Sequence, residues 1–347
     1  MLAAYPAAVT ALSVVNLVAP QRSGPLALTE VLAPHLLLPL FAIAPFALTR
    51  GAAALRVALV VAILVGAARF LPGVVSLPTS TPAQAQSLRI LSWNLEVGVP
   101  PVAGVLAVLE STGADLVALQ ELTPGHAAAL EADPAITSRF AFRAMYPQPG
   151  AGGVGLLSRY PLTGANAGTA PALVEARLTL PDGTVVRVVD AHPFPAAIAT
   201  ATSFRIPIGF EAARRDADVA RIRARIDATV AAGTPIIVVG DFNLTDREPA
   251  HADLARGLLD AHLEVGEGTG STWRPDRMKF LPFGVMRIDY LLSGGGLRPV
   301  AIGEDCTPRG SDHCIVVGTL VVDPDPGHVR GGVPAVVTEP PLSPAPA

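Results

Sequence analysis

Hydrophobic and polar positions are unevenly spread along the chain. Three nearly uncharged stretches come first: residues 2–20, residues 31–48 with His35 as their one ionisable group, and residues 52–69, which hold Arg56 and Arg69. A bilayer span needs about 20 mostly apolar residues, so the pattern predicts three transmembrane helices within residues 1–72, the third the weakest. Pro34, Pro39 and Pro45 bend the second without excluding it from lipid. Residues 73–87, rich in Pro, Ser and Thr, read as a linker. From residue 88 short apolar runs alternate with turn signals. Strands are predicted at Leu88–Trp93, Asp115–Leu119, Gly152–Leu157, Pro235–Val239, Arg287–Leu292 and Ile315–Val322. Leu173–Leu180 and Thr184–Asp190 flank Pro181-Asp182-Gly183 and form a hairpin. Helices are predicted over Val102–Glu110 and Phe210–Ala231, and a mostly apolar loop over residues 193–209. Hairpins mixed with helical crossovers indicate an α/β sandwich with mixed sheets. Residues 323–347, Pro/Gly-rich and without periodicity, read as a disordered tail.

Composition places the apolar excess. The chain of 347 residues is 50% hydrophobic and 16% charged, against about 25% charged in a soluble domain. That excludes a coiled coil or a disordered protein. Residues 1–86 carry a net charge of +3, residues 87–322 of −5 and residues 323–347 of −2. The apolar excess therefore belongs to the N-terminal segment, and the rest has a soluble composition. Arg50 and Arg56 place the loop between the second and third spans in the cytoplasm, so the following domain is expected outside it. Arg22 and Arg69 argue mildly against this orientation. Ala83-Gln84-Ala85 resembles a small-residue cleavage site, which would release the domain.

Polar residues follow the predicted strands: Asn94, Glu121, His192, Asp241, Asn243, Asp289 and the pair Asp312-His313. Loops held by a rigid sheet are where functional side chains concentrate. Each residue alone also reads as a turn former, a solvated charge or a structural histidine. Their joint occurrence in one order carries the signal.

With these pieces in place, the sequence resembles the endonuclease/exonuclease/phosphatase superfamily, in a bacterial-type membrane-anchored form. The resemblance rests on Ser92-Trp93-Asn94, Leu119-Gln120-Glu121, Gly155-Leu156-Leu157-Ser158-Arg159-Tyr160-Pro161, His192, Gly240-Asp241-Phe242-Asn243, Arg287-Ile288-Asp289-Tyr290 and Ser311-Asp312-His313. It covers residues 88–322 and implies a deoxyribonuclease-like four-layer α/β sandwich. It also implies roles. Glu121 would hold a divalent cation, with Asn94 beside it and Asp312 completing the site; hard oxygen ligands suit Mg²⁺ or Mn²⁺. Asp241 would orient or deprotonate the attacking water, and Asn243 would bind the phosphate or the metal-bound water. His313, with Asp289 or Asp312 behind it, would act as general acid/base or hydrogen-bond the phosphate, and His192 would donate to the scissile phosphate.

The expected activity is metal-assisted water attack on a phosphoester. Phospholipid head groups, nucleotides and nucleic acids are the candidate substrates, the membrane is reached through the N-terminal helices, and no protein partner is inferred. The domain's net charge of −5 and the chain's single lysine, Lys279, argue against a dedicated processive nuclease. The arginines of residues 214–225 alternate with acids and read as a solvated helix face. Trp273 reads either as a stacking residue of the cleft or as core. Cys306 and Cys314 bracket Asp312-His313, and an oxidising compartment would permit a disulfide there. A catalytically silent binding module on the same fold, or a role carried by the helices alone, are the alternatives.

Overall fold

The computed structural model describes residues 2–50, 52–71, 74, 86–201 and 206–322. Most of the linker, with Ala83-Gln84-Ala85, and the tail from residue 323 lie outside the described residues.

The N-terminal segment is helical: α1 (Ala4–Val18), α2 (Gly24–Val31), α3 (Ala33–Leu36), α4 (Leu38–Arg50) and α5 (Ala53–Phe70). The expectation of three spans is not met. Among the described residues one helix, α5, is long and apolar enough to cross a membrane, or two segments if the bent pair around Leu32 counts as one span. The 15 residues of α1 rise only about 22 Å, short of the about 30 Å hydrocarbon core. The second stretch starts at a 78° break between Gly24–Val31 and Ala33–Thr49, and residues 33–49 alone fall short of the about 20 that a span needs. The break falls at Leu32, two residues ahead of Pro34, which has no N–H to return to the Glu30 carbonyl. The stretch that looked weakest in sequence is thus the best span. It packs through Leu55, Leu59 and Ala62 against Leu40 and Ala47 of α4. Outside this seam Val57, Val60, Val61, Ile63 and Leu64 stay exposed.

Among the described residues the α/β part has fourteen strands and six further α-helices. The strands are β1 (Ser87–Asn94), β2 (Leu116–Gln120), β3 (Phe142–Tyr146), β4 (Val154–Ser158), β5 (Leu162–Thr169), β6 (Ala172–Thr179), β7 (Val185–His192), β8 (Ala197–Ala201), β9 (Ile206–Glu211), β10 (Ile236–Asp241), β11 (Leu259–Asp260), β12 (Asp289–Gly294), β13 (Leu297–Asp305) and β14 (Ile315–Val322). The helices are α6 (Val102–Ser111), α7 (Pro124–Ala132), α8 (Pro134–Arg139), α9 (Ala213–Ala231), α10 (Pro249–Ala255) and α11 (Ala261–Val265).

Twelve strands form two six-stranded sheets, β13-β14-β1-β2-β4-β3 and β11-β12-β10-β7-β6-β5. Within them β1 and β2 run parallel, as do β7 and β10, while the outer pairs are antiparallel, so both sheets are mixed. Side-chain alternation along each strand builds the layers. Ile90, Ala118, Val188, Ile237 and Val239 point between the sheets. Leu91, Trp93, Val117 and Leu119 face α6, α7 and α8 through Val105, Leu109, Leu130 and Ile136. Val189, Ile236 and Val238 face α9 and α10 through Val219, Ile222, Ile226 and Leu254. The result is helix, sheet, sheet, helix, the four-layer sandwich expected from the sequence.

Two expectations need correction. The long helix starts at Ala213, not Phe210, because Phe210 belongs to β9. The apolar loop 193–209 holds a separate hairpin, β8 paired with β9. Its face is covered by α2: Ala27, Leu28 and Val31 pack on Phe210 and Ala212, with Leu32, Ala196 and Met286 at the margin. Ion pairs from Arg22 to Asp216 and Asp253, and Arg247 lying 4.7 Å over the Phe70 ring, also tie the helices to the sandwich.

Candidate active site

Sheet direction explains why the polar residues meet. The parallel strands β1, β2, β7 and β10 all finish at one edge of the sandwich, and there the antiparallel β12 and β14 begin. Asn94, His192 and Asp241 are last residues of strands, Glu121 directly follows β2, and Asp289 is the first residue of β12. Asp241 and Asp289 are register partners. Two of the turns are conformationally special. Glu121 and Asn243 have φ of 53°, a region non-glycine residues rarely enter. Gly240 has φ 136°, and a Cβ there would sit 2.2 Å from the Ala191 carbonyl, so glycine is required.

Asp241 is the hub. It is 1% exposed. Its Oδ2 accepts from Asn94 Nδ2 at 2.9 Å and lies 3.4 Å from His192 Nε2 and 3.5 Å from His313 Nε2. Its Oδ1 accepts from the Asn243 backbone N–H at 2.9 Å, fixing the turn. Asn94 Nδ2 also donates to Glu121 Oε1 at 3.2 Å, so one amide joins carboxylates carried by the two sheets. His313 Nδ1 pairs with Asp289 Oδ2 at 2.9 Å, which turns Nε2 towards Asp241. His192 Nδ1 meets the Ala151 carbonyl at 2.9 Å, leaving Nε2 beside Asn243 Nδ2 at 3.1 Å and Glu121 at 3.7 Å.

The electrostatics follow from this crowding. Burial opposes charge on His192, but the Asp241 hydrogen bond and charge, with Glu121 behind, push it up to about 9. Burial likewise opposes charge on His313, and Asp289 followed by Asp241 push it up to about 10. Burial raises Asp241, yet His313 and His192 hold it down at about 2. Burial is the main reason that Asp289 and Asp312 are raised. The site therefore holds an anion set between two imidazolium groups.

Donor chemistry fits a hard divalent cation. Among the described residues Asp241, Asp289 and His313 bring ligand atoms within 4.8 Å of one another. This is a different set from the sequence-based one. Glu121 faces the same space, sharing the Asn94 amide with Asp241. Asn94 turns its nitrogen to the site, while its Oδ1 accepts the Glu96 N–H at 2.8 Å. Asp312 is drawn towards Trp273, whose Nε1 donates to Oδ2 at 2.9 Å, and its Oδ1 is 3.8 Å from His313. Asn94 and Asp312 thus flank the carboxylates, the Asn94 oxygen and Asp312 Oδ2 each accepting a hydrogen bond.

Supporting residues surround the site, and the arginines among them went unseen in the sequence. Gln120 Nε2 donates to Asp190 Oδ1 at 2.7 Å and to Ser92 Oγ at 3.2 Å beneath the site. Arg274, 1% exposed, donates to the Leu281, Cys306 and Ser311 carbonyls and its N–H meets the Asp312 carbonyl, bracing the loop that carries Asp312 and His313. Cys306 and Cys314 are joined as a disulfide, as the bracketing suggested. Arg215 donates to the Asn243 carbonyl at 3.0 Å and pairs with Glu248. Buried arginines have no local sequence signature distinct from surface ones, which is why these were missed.

Comparison with known proteins agrees with this arrangement. The profile of the Endonuclease/Exonuclease/phosphatase family matches residues 91–313. No curated protein matches the chain. Among solved structures, a humanized TDP2 from D. rerio is 18% identical with TM-score 0.51, covering 67% of this chain and 98% of its own. An endonuclease/exonuclease/phosphatase family protein from Bacteroides thetaiotaomicron is 14% identical with TM-score 0.50, covering 69% and 99%. A functionally unknown conserved protein from Enterococcus faecalis V583 is 15% identical with TM-score 0.53, covering 68% and 100%. At these identities the likeness concerns the fold. Strand-end constellation, sandwich and profile point one way: the chain belongs to the endonuclease/exonuclease/phosphatase family, whose members hydrolyse phosphoester bonds.

Proposed function

We propose that this protein is a membrane-anchored, divalent-metal-dependent phosphoester hydrolase with its catalytic domain, residues 88–322, outside the cytoplasm. The observation that carries it is Asp241 held between His192 and His313, with the Asp289 dyad behind one imidazole and Glu121 across the shared Asn94 amide.

The residues divide the work. Glu121, with Asp241 and Asp289 near it, would hold Mg²⁺ or Mn²⁺, which when bound neutralises phosphoryl charge and steadies the leaving oxygen. Asp241 orients the attacking water or takes up its proton as the new bond forms. His192 and His313 donate to the phosphoryl oxygens, each held by a partner on its other ring nitrogen. Asn243 places its amide beside His192 at the same phosphate position. The Cys306–Cys314 disulfide supports an oxidising compartment for the domain. α5 supports membrane attachment.

The test is a hydrolysis screen of the full chain in detergent with Mg²⁺ or Mn²⁺. DNA, RNA, nucleotides, phospholipids and bis(p-nitrophenyl) phosphate are the substrates. Turnover that chelation removes and Asp241→Asn abolishes is expected. Turnover of none of them, or turnover indifferent to that substitution, refutes the proposal.

A further inference from the structure

Two exposed apolar loops flank the strand-end cleft. On the His192 side, the segment after β7 bears Phe194 at 46% exposure, Ile198 at 48% and Ile208 at 53%. It is tied to the site directly, since Asn243 Nδ2 donates to the Pro193 carbonyl. On the Asp312 side, the loop between Trp273 and Met286 bears Phe280 at 72% and Phe283 at 55%. It is tied to the site by Trp273 Nε1 on Asp312 and by Lys279 on Glu96, whose other oxygen accepts the Asp312 N–H. Soluble surfaces seldom cluster large apolar side chains around a polar cleft without a partner.

The helical segment lies beside both loops. Ile198 is the register partner of Phe210, so the two side chains share one face of the β8–β9 hairpin. α2 covers Phe210 on that face and leaves Ile198 open. Met286, at the end of the Phe280–Phe283 loop, packs at the margin of the same α2 cluster. α2 is in turn joined to the C-terminal end of α5 by the Arg69–Glu30 ion pair. The apolar loops are therefore continuous, through α2, with the segment that carries the membrane-crossing helix.

We infer that Ile198, Ile208, Phe280 and Phe283 form a lipid-contacting rim that seats the catalytic cleft on the bilayer holding α5, and that the substrate is a lipid-borne phosphoester presented from that bilayer. This rests on the hydrolase reading and on α5 spanning the membrane. Such a substrate keeps its acyl part in the membrane while its phosphate rises between the two loops to Asp241. The acidic balance of the domain, net −5 over residues 87–322, suits a ligand held by apolar contact better than one held by phosphate neutralisation.

The experiment uses the full chain in phosphatidylcholine/phosphatidylglycerol nanodiscs. Single Ile198→Trp, Phe280→Trp and Phe283→Trp variants are compared with Val185→Trp, which starts β7 about 23 Å from His192. The added fluorescence over the parent chain should be quenched severalfold more by acyl-chain-brominated phosphatidylcholine at the three rim positions than at 185. Equal or absent quenching overturns the rim. In parallel, turnover of long-chain phosphatidylcholine and phosphatidylglycerol in the disc is compared with turnover of bis(p-nitrophenyl) phosphate. Phe280→Ser/Phe283→Ser should cut lipid turnover at least tenfold and leave the soluble ester within twofold. Equal losses on both, or soluble turnover without any lipid turnover, overturn the substrate assignment. Failure of the parent on every ester would instead sink the hydrolase reading, and the quenching would still decide the rim.

Discussion

Asp190 shows how much a single side chain beneath the site matters. It is wholly buried, its Oδ1 accepts from Gln120, and Oδ2 has no partner among the described residues. Burial pushes it up to about 8. A folded value above the unfolded one, about 3.9, means stability is fully present below that lower value and is lost as pH rises through the higher one. Asp190→Asn removes the titration, so its gain in unfolding free energy over the parent, measured by denaturant unfolding, should grow from pH 5 to pH 9, reaching a few kcal/mol. A gain independent of pH contradicts this. Asp260 has the opposite sign. Burial opposes its charge, but Arg287, then His251, hold it well below the ordinary carboxylate range. Its contribution is present above the unfolded value and lost as pH falls towards the folded one. Asp260→Asn leaves Arg287 short of its main partner and should cost about 3–5 kcal/mol at pH 7, measured by denaturant unfolding. At the site itself, Asp241→Asn or His313→Gln should lower kcat by about 10²–10⁴ while circular dichroism stays unchanged.

At the scale of elements, the strand ends were legible because chemistry and period coincided there. Pro235–Val239 reads as an apolar run closed by Gly-Asp-Phe-Asn, and β10 runs from Ile236 to Asp241, one residue later at its start and two further at its end. The β8–β9 hairpin was not legible. Its proline-interrupted sequence lacks alternation, and its fold depends on α2, more than 150 residues earlier, covering Phe210. β13 was missed for a similar reason: Leu297–Asp305 is irregularly patterned and is organised by its pairing with β14, with a register shift between Pro299 and Ala301. The loop after β13 carries Asp312 and His313 and is held by the disulfide and by Arg274. Closing the eight-residue separation stabilises by about 2–3 kcal/mol in the chain-entropy account. Cys306→Ser/Cys314→Ser should lower stability by that amount and reduce kcat more than KM, since His313 loses its fixed position. Unchanged kcat would show that Arg274 alone suffices.

At the scale of the molecule, the helical segment and the sandwich are one packed object. Hydropathy alone suggested independent spans joined by a linker. It could not reveal that α2 docks on β9, since docking depends on residues distant in sequence. A chain beginning at residue 86 would uncover Phe210, Ala212 and Met286 and should self-associate, as light scattering would report, while the four-layer core persists. The central claim is that the convergence of Glu121, Asp241, Asp289, His192 and His313 cleaves phosphoesters with a divalent cation. The most direct measurement is bis(p-nitrophenyl) phosphate turnover by the full chain as Mg²⁺ or Mn²⁺ is titrated after chelation, with Glu121→Gln in parallel. The account predicts no turnover without cation, saturable restoration in the parent chain, and a large rise in the cation concentration required by Glu121→Gln. Turnover that survives chelation, or a Glu121→Gln titration identical to the parent's, would contradict it.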